Sequence, residues 1–573
     1  MKKINFISIL FTAIMMLFVN ACNDEFLEVA PNGGLDANVL STVDGIDGLL
    51  IGAYAMLDGT SASFGWEAAA SNWVYASIRG GIANKGTDSG DQPDINPIMN
   101  YTETASNPYL NVRWRSLYES ISRCNQVIQV AAVGLGNAAI TQDEHDQFVA
   151  QARVLRGHYH VEAYKLWKNI PYLDENTDAG LVTNTVDIRE LIIEDLKAGI
   201  SLPTDMGQPG RFNKTVSQVL LAKAYMQLNA DFTSALPLLT SAMTGTAPDG
   251  TPIGLEENYG DIFDIEFRNG VEAVYTVQYS VNDGSSGINA GTGEVLNFPY
   301  KAGLSPGGCC GFFQPTQEYV NSFRTSTAGL PLLDGSYNSD PVLNDQGLTV
   351  DDASYVEDSG NLDPRIDWSV GRRGIPYLDW GDHTGQDWIR DQTYAGPFSP
   401  KKQVYKKAQE GQFTEVGNWT SGYTANGYRM IRYADILLLA AECQAQNNTD
   451  DLGLAYVNQI RARAANAAGF VMEDDGVTPA ANYVISPYVS FANKSEALSA
   501  ILMERKLELG MEGHRWFDLK RFGVSVTAIN DYLAYSGTLG QSYLLNPSYD
   551  ASNDLYPIPQ RQIDVSNGTL VQN

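Results

Sequence analysis

The sequence predicts a mainly α-helical protein with a loop-rich central insertion that carries a few short strands. Three patterns support this fold class. Long segments such as residues 109–133 and 145–170 place apolar side chains at helical spacing. Residues 282–428 are instead rich in Gly, Pro, Asp and aromatic residues, which is typical of loops. Residues 272–281 alternate smaller and bulkier side chains, as expected for a strand.

The predicted helices follow one another in pairs. Small residues such as Ala222, Ala224 and Ala230 stand at the expected helix contacts, as in tetratricopeptide-type stacking, although the strict consensus of that repeat is missing. Residues 80–100 are dense in Gly, Asp, Asn and Pro, and this predicted loop is longer than most structural connections, which favours a functional role. We expect helices over residues 42–57, 66–82, 109–133, 145–170, 186–202, 217–229, 235–242, 316–323, 428–445 and 452–465, and at the start of 499–523.

The C-terminal stretch 499–523 concentrates charged residues beside aromatic ones. Glu504, Glu508 and Glu512 are spaced four apart, so their carboxylates stack along one helical stripe. A glycosidase needs two carboxyl groups facing one cleft, and adjacent helical turns give a suitable spacing. Because buried charges are usually paired, we predict instead a structural ion-pair network. The expected partners are the nearby basic residues Arg505, Lys506 and Arg515.

Composition limits the classes of function. The chain has 573 residues, with 67 Asp and Glu against 38 Lys and Arg, and a formal charge of −29. This balance argues against nucleic acid as a partner and disfavours polyanionic ligands. The common motifs of nucleophilic, zinc-protease, P-loop and dinucleotide-binding enzymes are missing, so we predict no enzymatic activity and no cofactor. The 30 Tyr, 20 Phe and 9 Trp would suit a ligand with flat apolar faces, such as a sugar ring, wherever they reach the surface.

The N-terminus is typical of an export signal. Lys2 and Lys3 precede an apolar run, and the small residue Ala21 stands directly before Cys22. Residues 19–22 look like a lipobox, although Asn20 departs from its commonest pattern, so we expect lipidation of Cys22. The apolar run is short for a transmembrane helix, and lipid chains would hold the protein on a membrane without spanning it. An ordinary secretory signal is the alternative.

The cysteines and acidic loops do not predict a metal site. No pair of cysteines has the C-x-x-C spacing of a zinc site. The adjacent Cys309 and Cys310 could form a vicinal disulfide in an oxidising compartment, but we expect two small buried thiols. Asp88, Asp91 and Asp94 lack the spacing of a calcium-binding EF-hand, so we predict a solvated loop without a metal ion.

Several motifs are spread along the whole chain. The most specific is ERKLELGMEGHRWFDLKRFG, at residues 504–523. The others are Asn72-Trp73 with the loop Lys85-Gly86-Thr87-Asp88-Ser89-Gly90-Asp91, residues 152–156 with 166–171, Asp363-Pro364-Arg365, Gly396-Pro397, residues 432–435 with 457–463, and residues 555–559 with Gln572-Asn573. In sequence and in order, these motifs resemble those of the RagB/SusD family of nutrient-uptake outer-membrane lipoproteins.

This resemblance implies a fold and a function. The fold would be an irregular set of tetratricopeptide-like helix pairs (SusD-like). The protein would be a surface-exposed, lipid-anchored protein of the cell outer membrane that binds an oligosaccharide ligand and delivers it to a SusC-like TonB-dependent outer-membrane transporter. The implied regions are a lipoprotein signal peptide (1–21), a lipidated tether (22–40), an N-terminal SusD-like helical region (41–270), the loop-rich insertion with short strands (271–427) and a C-terminal SusD/RagB helical region (428–573).

The resemblance also directs the choice of ligand-binding residues, because the family's site is built from N-terminal loops and the central insertion. Sugar rings stack their C–H faces on aromatic rings while polar side chains bond to the hydroxyls. We nominate Asp91, Asn96 and Tyr101 from the N-terminal region, and Phe312, Phe313, Tyr377, Trp380, Trp388 and Arg390 from the insertion. Two alternatives stay open: a surface-anchored glycoside hydrolase, and a family member that binds peptides or another non-sugar nutrient.

Overall fold

The computed structural model describes residues 37–61, 63–301, 305–417, 419–541, 544 and 548–573. The predicted signal peptide and Cys22 lie outside this range. The α-helices are α1 (Ala37–Leu40), α2 (Val43–Tyr54), α3 (Ile95–Met99), α4 (Pro108–Gly136), α5 (Gln142–Trp167), α6 (Arg189–Lys197), α7 (Lys214–Asn229), α8 (Phe232–Ala242), α9 (Gln317–Asn321), α10 (Ile366–Ser369), α11 (Gln392–Ala395), α12 (Tyr433–Gln446), α13 (Leu454–Ala464), α14 (Lys494–Leu509), α15 (Arg515–Arg521), α16 (Ser525–Thr538) and α17 (Gln560–Val565).

Local sequence explains where the longest helices begin. α4 starts with Pro108 in its first turn, where a missing N–H costs no hydrogen bond, and Asn107 caps it. α5 starts with a capping box in which the Thr141 side chain and the Glu144 side chain each accept from the other's backbone N–H. The Thr141 cap directly follows the turn that joins the two helices, and α4 and α5 pack against each other as a pair.

Helix pairing builds the frame on both sides of the insertion. In the N-terminal part, α4 packs on α5, α5 on α6, and α7 on α8. In the C-terminal part, α12 packs on α13 and α14. Contacts between α8 and α12 join the two parts into one helical frame. The predicted mainly helical fold with few short strands is confirmed.

The strands are short and pair two by two. They are β1 (Ala83–Gly86), β2 (Ala273–Thr276), β3 (Phe312–Pro315), β4 (Val370–Gly371), β5 (Ser399–Pro400), β6 (Thr414–Glu415), β7 (Tyr423–Thr424) and β8 (Arg429–Arg432). All four pairs, β1–β3, β2–β8, β4–β5 and β6–β7, are antiparallel. The β1–β3 pair aligns Asn84 with Gln314 and Gly86 with Phe312, so it ties the N-terminal loop to the central insertion.

Three predicted elements differ from the structure. Residues 66–82 are not one helix but a 3₁₀ turn at Trp66–Ala68 and a π-helical segment at Trp73–Ile78, because Asn72 adopts a left-handed conformation that a right-handed helix cannot continue through. The predicted loop 80–100 contains β1 and α3. Residues 429–432, predicted as helix, form β8 because pairing with β2 overrides the local helical pattern.

The aromatic residues of the insertion build a small core of their own. Phe298, Tyr377, Trp388, Val404 and Tyr405 are buried together, and Trp380 packs against them half-buried. Tyr377 and Trp388 meet edge to face with ring centroids 5.3 Å apart, a favourable aromatic geometry. Much of the aromatic content of this region is therefore used to hold the insertion together.

Candidate functional site

An accessible cluster of polar side chains forms where the loop after β1 meets the insertion. The Arg390 cluster, as we call it, consists of Thr87, Asp88, Asp91, Tyr300 and Arg390. Arg390 pairs with both carboxylates at 2.8 Å and donates to the Thr87 hydroxyl at 2.9 Å. Its guanidinium carbon lies 5.4 Å from the centroid of the Tyr300 ring, within the range of a cation–π contact.

The charged side chains of the cluster are partly exposed to solvent. The side chains of Arg390, Asp88 and Asp91 are each about one third exposed, at 32–33%. Tyr300 is half-buried, and its backbone N–H donates to the Trp388 carbonyl at 3.1 Å. This hydrogen bond holds Tyr300 beside the segment that carries Arg390. Polar groups are thus held in place while their outer faces remain in contact with water.

Lys85 holds the acidic loop from beneath. It is fully buried, and its ammonium group donates to the backbone carbonyls of Asp88 and Asp91 at 2.7 and 2.6 Å. Burial lowers the pKa of Lys85 to about 8, although Asp88 and Asp91 act in the opposite direction. Partial burial tends to raise the pKa of Asp88, but the N–H groups of Asp91 and Gly90 and the charge of Arg390 lower it overall. Asp88 is therefore ionised at neutral pH.

Asn96 and Tyr394 extend the cluster along the surface. The Tyr394 hydroxyl, on α11, donates to Asn96 Oδ1 at 2.6 Å, and Asn96 Nδ2 donates to the Ser89 carbonyl at 3.0 Å. Both side chains are half-buried. The Tyr394 ring also lies 5.1 Å from the Lys85 ammonium. A hydroxyl-rich ligand would meet an amide, a phenol, two carboxylates and a guanidinium along one continuous surface.

The structure separates the nominated residues into two groups. Asp91, Asn96 and Arg390 come together at the surface. Trp380 is half-buried, and its indole N–H donates to the Tyr405 carbonyl at 3.0 Å. The other five are buried: Tyr101, Phe312, Phe313, Tyr377 and Trp388.

Each buried ring has a protein partner. Phe312 and Phe313 pack edge to face against Trp73, at 6.2 and 5.8 Å. Tyr101 packs against Tyr549 at 5.0 Å and donates its hydroxyl to the Arg79 carbonyl at 3.0 Å. These rings are part of the buried core. Thr87, Asp88 and Tyr300 contact Arg390, and Tyr394 contacts Asn96. Our ligand-site prediction did not include these four residues.

Cys309 and Cys310 are joined by a disulfide, so our expectation of two free thiols is wrong. The disulfide lies in the turn Gly307–Gly311, where Gly307, Gly308 and Gly311 all have positive φ that other residues rarely adopt. The Gly311 carbonyl accepts from the Thr87 N–H, so this turn adjoins the Arg390 cluster. Cys124 and Cys443 are free and buried.

The Glu504, Glu508 and Glu512 stripe of α14 and the turn after it is buried and paired, which confirms the predicted ion-pair network. The predicted partners are wrong. Arg505 pairs with Asp435 and Asp518, and Lys506 pairs with Glu318. The stripe itself pairs with basic residues from distant segments: Arg365, Lys402, Arg432, Arg461 and Arg463.

This pairing fixes the charge state of the stripe. Burial alone would raise the pKa of Glu508, but Arg463, Arg432 and Arg365 hold it well below its usual range. Glu512 is likewise shifted to lower pKa by Arg432 and Lys402 against the effect of burial. A general acid needs a raised pKa, and these two carboxyl groups are shifted the other way.

The acidic loop uses two of its carboxylates for ion pairs with Arg390. The Asp88 and Asp91 carboxylates each lie 2.8 Å from a guanidinium nitrogen of Arg390. In the part of the chain that the structure describes, no three His, Cys, Asp or Glu side chains lie close enough to share a metal. Across the same residues, none of the helices is both long and apolar enough to cross a membrane.

Comparison with known proteins assigns the family. The SusD family model matches residues 271–573, more than half of the chain. This chain belongs to the SusD family. Among curated proteins, SusD-like protein P2 of Formosa agariphila is 24% identical over 588 residues, covering 100% of this chain and 98% of that protein.

Two solved structures share the fold. A SusD superfamily protein from Bacteroides vulgatus matches with a TM-score of 0.65 and 18% identity, over 93% of this chain and 99% of that one. Surface glycan-binding protein A from Bacteroides thetaiotaomicron, solved in complex with laminarihexaose, matches with a TM-score of 0.62 and 22% identity, over 92% of this chain and 99% of that one.

Proposed function

We propose that this protein binds oligosaccharides at the cell surface without chemical turnover and delivers them to a TonB-dependent transporter. A lipid on Cys22 would hold it on the outer membrane. The observation that carries the proposal is the Arg390 cluster, in which exposed hydrogen-bonding groups and an aromatic ring are held side by side by two segments of the fold.

The chemistry of the cluster fits a sugar. Adjacent hydroxyls can donate to the carboxylates of Asp88 and Asp91 and accept from Arg390, while a C–H face rests on the ring of Tyr300. Because Arg390 already pairs with both carboxylates, the polar groups are oriented before a ligand arrives, which lowers the entropic cost of binding. Individual exposed contacts of this kind are weak. Retention would therefore come from enclosure between this protein and its transporter.

The relatives support a glycan as the ligand. Surface glycan-binding protein A from Bacteroides thetaiotaomicron is solved with laminarihexaose, and another matching structure is described as a laminarin-binding SusD-like protein, at 20% identity and a TM-score of 0.62. The Glu504–Glu508–Glu512 stripe supports binding over hydrolysis, because its carboxylates are buried and paired with basic residues.

Calorimetry against a glycan panel tests the proposal. The full chain, purified in detergent, would be titrated with laminarin, starch, xylan, galactomannan and a peptide mixture, while released sugars are assayed. We expect saturable heat with one glycan class and no released product. Arg390→Ala should weaken that binding about tenfold, as truncation of a central interface arginine typically does.

A matched control separates binding from general surface effects. Arg189→Ala removes another exposed arginine, whose carboxylate partner is Asp187, from helix α6. This variant should bind as the wild type does. Heat with peptides alone, or sugar release by the wild type, would contradict the proposal.

The anchor and the transporter require separate tests. Metabolic labelling with a radioactive fatty acid should label the wild type and fail to label Cys22→Ala. Affinity purification of the wild type from outer membranes should recover a large TonB-dependent barrel. If the wild type is not labelled, the proposed lipid anchor is wrong. If the purified protein brings no TonB-dependent barrel with it, the proposed delivery step is wrong.

A further inference from the structure

A second accessible aromatic surface lies on the β6–β7 hairpin. Trp419 is 45% exposed, and no other tryptophan in the described residues is as exposed. It stands between Trp66, at 6.2 Å between ring centroids, and Tyr423, at 6.1 Å, with both neighbours meeting it edge to face. We call these three rings the Trp419 platform.

The hairpin holds the platform in a fixed position. Tyr423 belongs to β7 and faces Glu415 of β6 in the strand register. The turn between the strands is closed by the Gly417 N–H, which donates to the Thr420 carbonyl at 2.8 Å. Edge-to-face contacts on two sides then limit the motion of the Trp419 ring. A ring that is exposed and also held by its neighbours loses little entropy when a ligand stacks on it.

The disulfide turn connects the platform to the Arg390 cluster. On one side, the Gly307 carbonyl accepts from the Thr420 hydroxyl at 3.0 Å and from the Ser421 N–H at 3.2 Å, both in the hairpin. On the other side, Gly311 bonds to the backbone of Thr87 and approaches Tyr300 so closely that a Cβ on it would lie 3.2 Å from the Tyr300 Cβ.

A second set of contacts, in the N-terminal region, also connects the platform to the Arg390 cluster. Trp66 lies beside the hydroxyl of Tyr109, and that hydroxyl donates to Gln92 Oε1 at 2.8 Å. Gln92 directly follows Asp91 of the Arg390 cluster. The platform and the cluster are therefore neighbours through two independent sets of contacts, one on the insertion and one on the loop after β1.

We infer that the Trp419 platform is a second sugar subsite, and that the ligand is an uncharged polysaccharide chain long enough to contact the platform and the Arg390 cluster together. This inference rests on the proposed glycan-binding function. The three rings offer apolar faces without charge, and the hairpin around them is made largely of glycine, serine and threonine, which can bond to hydroxyls. Such a mixture fits the C–H face and the hydroxyl rim of a sugar ring better than it fits a continuous apolar partner.

Chain length is the variable that tests the inference. The glycan that binds in the calorimetric panel would be titrated as a series of oligosaccharides from the disaccharide upward, against the full chain in detergent. Wild type would be compared with Trp419→Ala, Trp419→Phe and the control Val416→Ala, which truncates a 79% exposed side chain of the same hairpin. Thermal unfolding would verify that each variant is folded.

The expected result has two parts. Trp419→Ala should leave the affinity for the shortest binding oligosaccharides unchanged and should lower the affinity for long ones about tenfold. Trp419→Phe should restore most of the loss because it keeps a ring face, and Val416→Ala should bind as the wild type does.

Three outcomes would overturn the inference. They are an unchanged affinity of Trp419→Ala for long chains, an equal loss for short and long chains, and a loss in Val416→Ala as large as in Trp419→Ala, which would mark a general apolar docking surface. In each of these cases the wild type still binds glycan, so the proposed function survives. If the wild type binds no glycan at all, the proposed function fails and this inference fails with it.

Discussion

Two groups of arginine–carboxylate pairs in this molecule have the same short distances and opposite surroundings. In the buried network around Glu508, Arg365, Arg432 and Arg463 approach the carboxylate at 2.6–3.2 Å, and all of these side chains are at most 4% exposed. In the Arg390 cluster the pairs measure 2.8 Å, but the side chains are about one third exposed. The two groups of pairs therefore differ in burial and not in distance.

The buried network joins segments that are far apart in the sequence. Glu272 begins the strand region of the insertion, Arg365 precedes α10, and Arg432 ends β8, yet all are within ion-pair distance of the network around α14. Removing one partner from such a network leaves an uncompensated charge in a low-dielectric interior. We interpret the motif at residues 504–523 as the part of the chain that holds the insertion against the helical frame.

The surface cluster is free to exchange partners. An exposed ion pair contributes little to stability because water solvates both charges when it opens. A ligand hydroxyl can therefore replace water, or one of the ion-pair contacts, at small cost. Four tests follow from this contrast, from the largest expected effect to the smallest.

Among the ion-pair variants, Glu508→Ala should have the largest effect on stability. The free energy of unfolding should fall by about 3–5 kcal/mol, because three buried arginines lose a shared partner. Chemical denaturation measures this. Glu119→Ala is the matched control, since the ion pair of Glu119 with Arg123 is exposed. A loss below about 1 kcal/mol in Glu508→Ala would remove the distinction between the two groups of pairs.

Trp388→Ala tests the contrast between buried and exposed residues, because buried Trp388 lies only two residues before Arg390 in the sequence. Trp388 is 2% exposed and packs edge to face on Tyr377 and His383, so its truncation should cost about 3–5 kcal/mol of unfolding free energy. This loss should appear in denaturant unfolding. Unchanged stability together with lost glycan binding would instead make Trp388 a ligand contact, as the sequence alone suggested.

Acid should weaken the interior before it protonates the network. Burial lowers the pKa of His160 to about 4 and of His383 to about 3, so both imidazoles are neutral in the folded protein. The unfolded chain takes up these protons near pH 6.5, and stability is therefore lost as the pH falls below that value. We expect about 1 kcal/mol per histidine at about pH 5.5. Denaturant unfolding at several pH values would show it, and constant stability down to pH 5 would contradict it.

Arg390→Ala should have the smallest effect on stability. Its ion pairs are exposed, so the free energy of unfolding should change by at most about 1 kcal/mol while glycan affinity falls. Denaturation and calorimetry on the same sample would compare the two effects. A large loss of stability would place Arg390 with the structural pairs.

Much of the frame was predictable from the sequence, because long amphipathic segments report their own helical period. α4, α5 and α7 were expected within a few residues of their observed ends. The partners of the Glu504–Glu508–Glu512 stripe were not predictable in this way. Residues next to one another on a helix point in different directions, so Arg505 and Lys506 face other elements.

The Arg390 cluster was only partly predictable. Asp91, Asn96 and Arg390 were nominated because the family resemblance pointed to the loops that carry them. Tyr300 was not nominated, because it meets Arg390 only through contacts between distant segments. Composition also marked Tyr377 and Trp388, but it cannot tell a ring that faces a ligand from one that forms the core of a loop region.

Hydrogen exchange with and without saturating glycan is the most direct test of the central claim. It follows the surface cluster and the buried network in one experiment. We expect the ligand to slow amide exchange in residues 87–96, 300–301 and 387–394, and to leave exchange in residues 494–512 unchanged. Protection confined to residues 494–512, with none in the loops around Arg390, would contradict the assignment of binding to the surface and of structure to the interior.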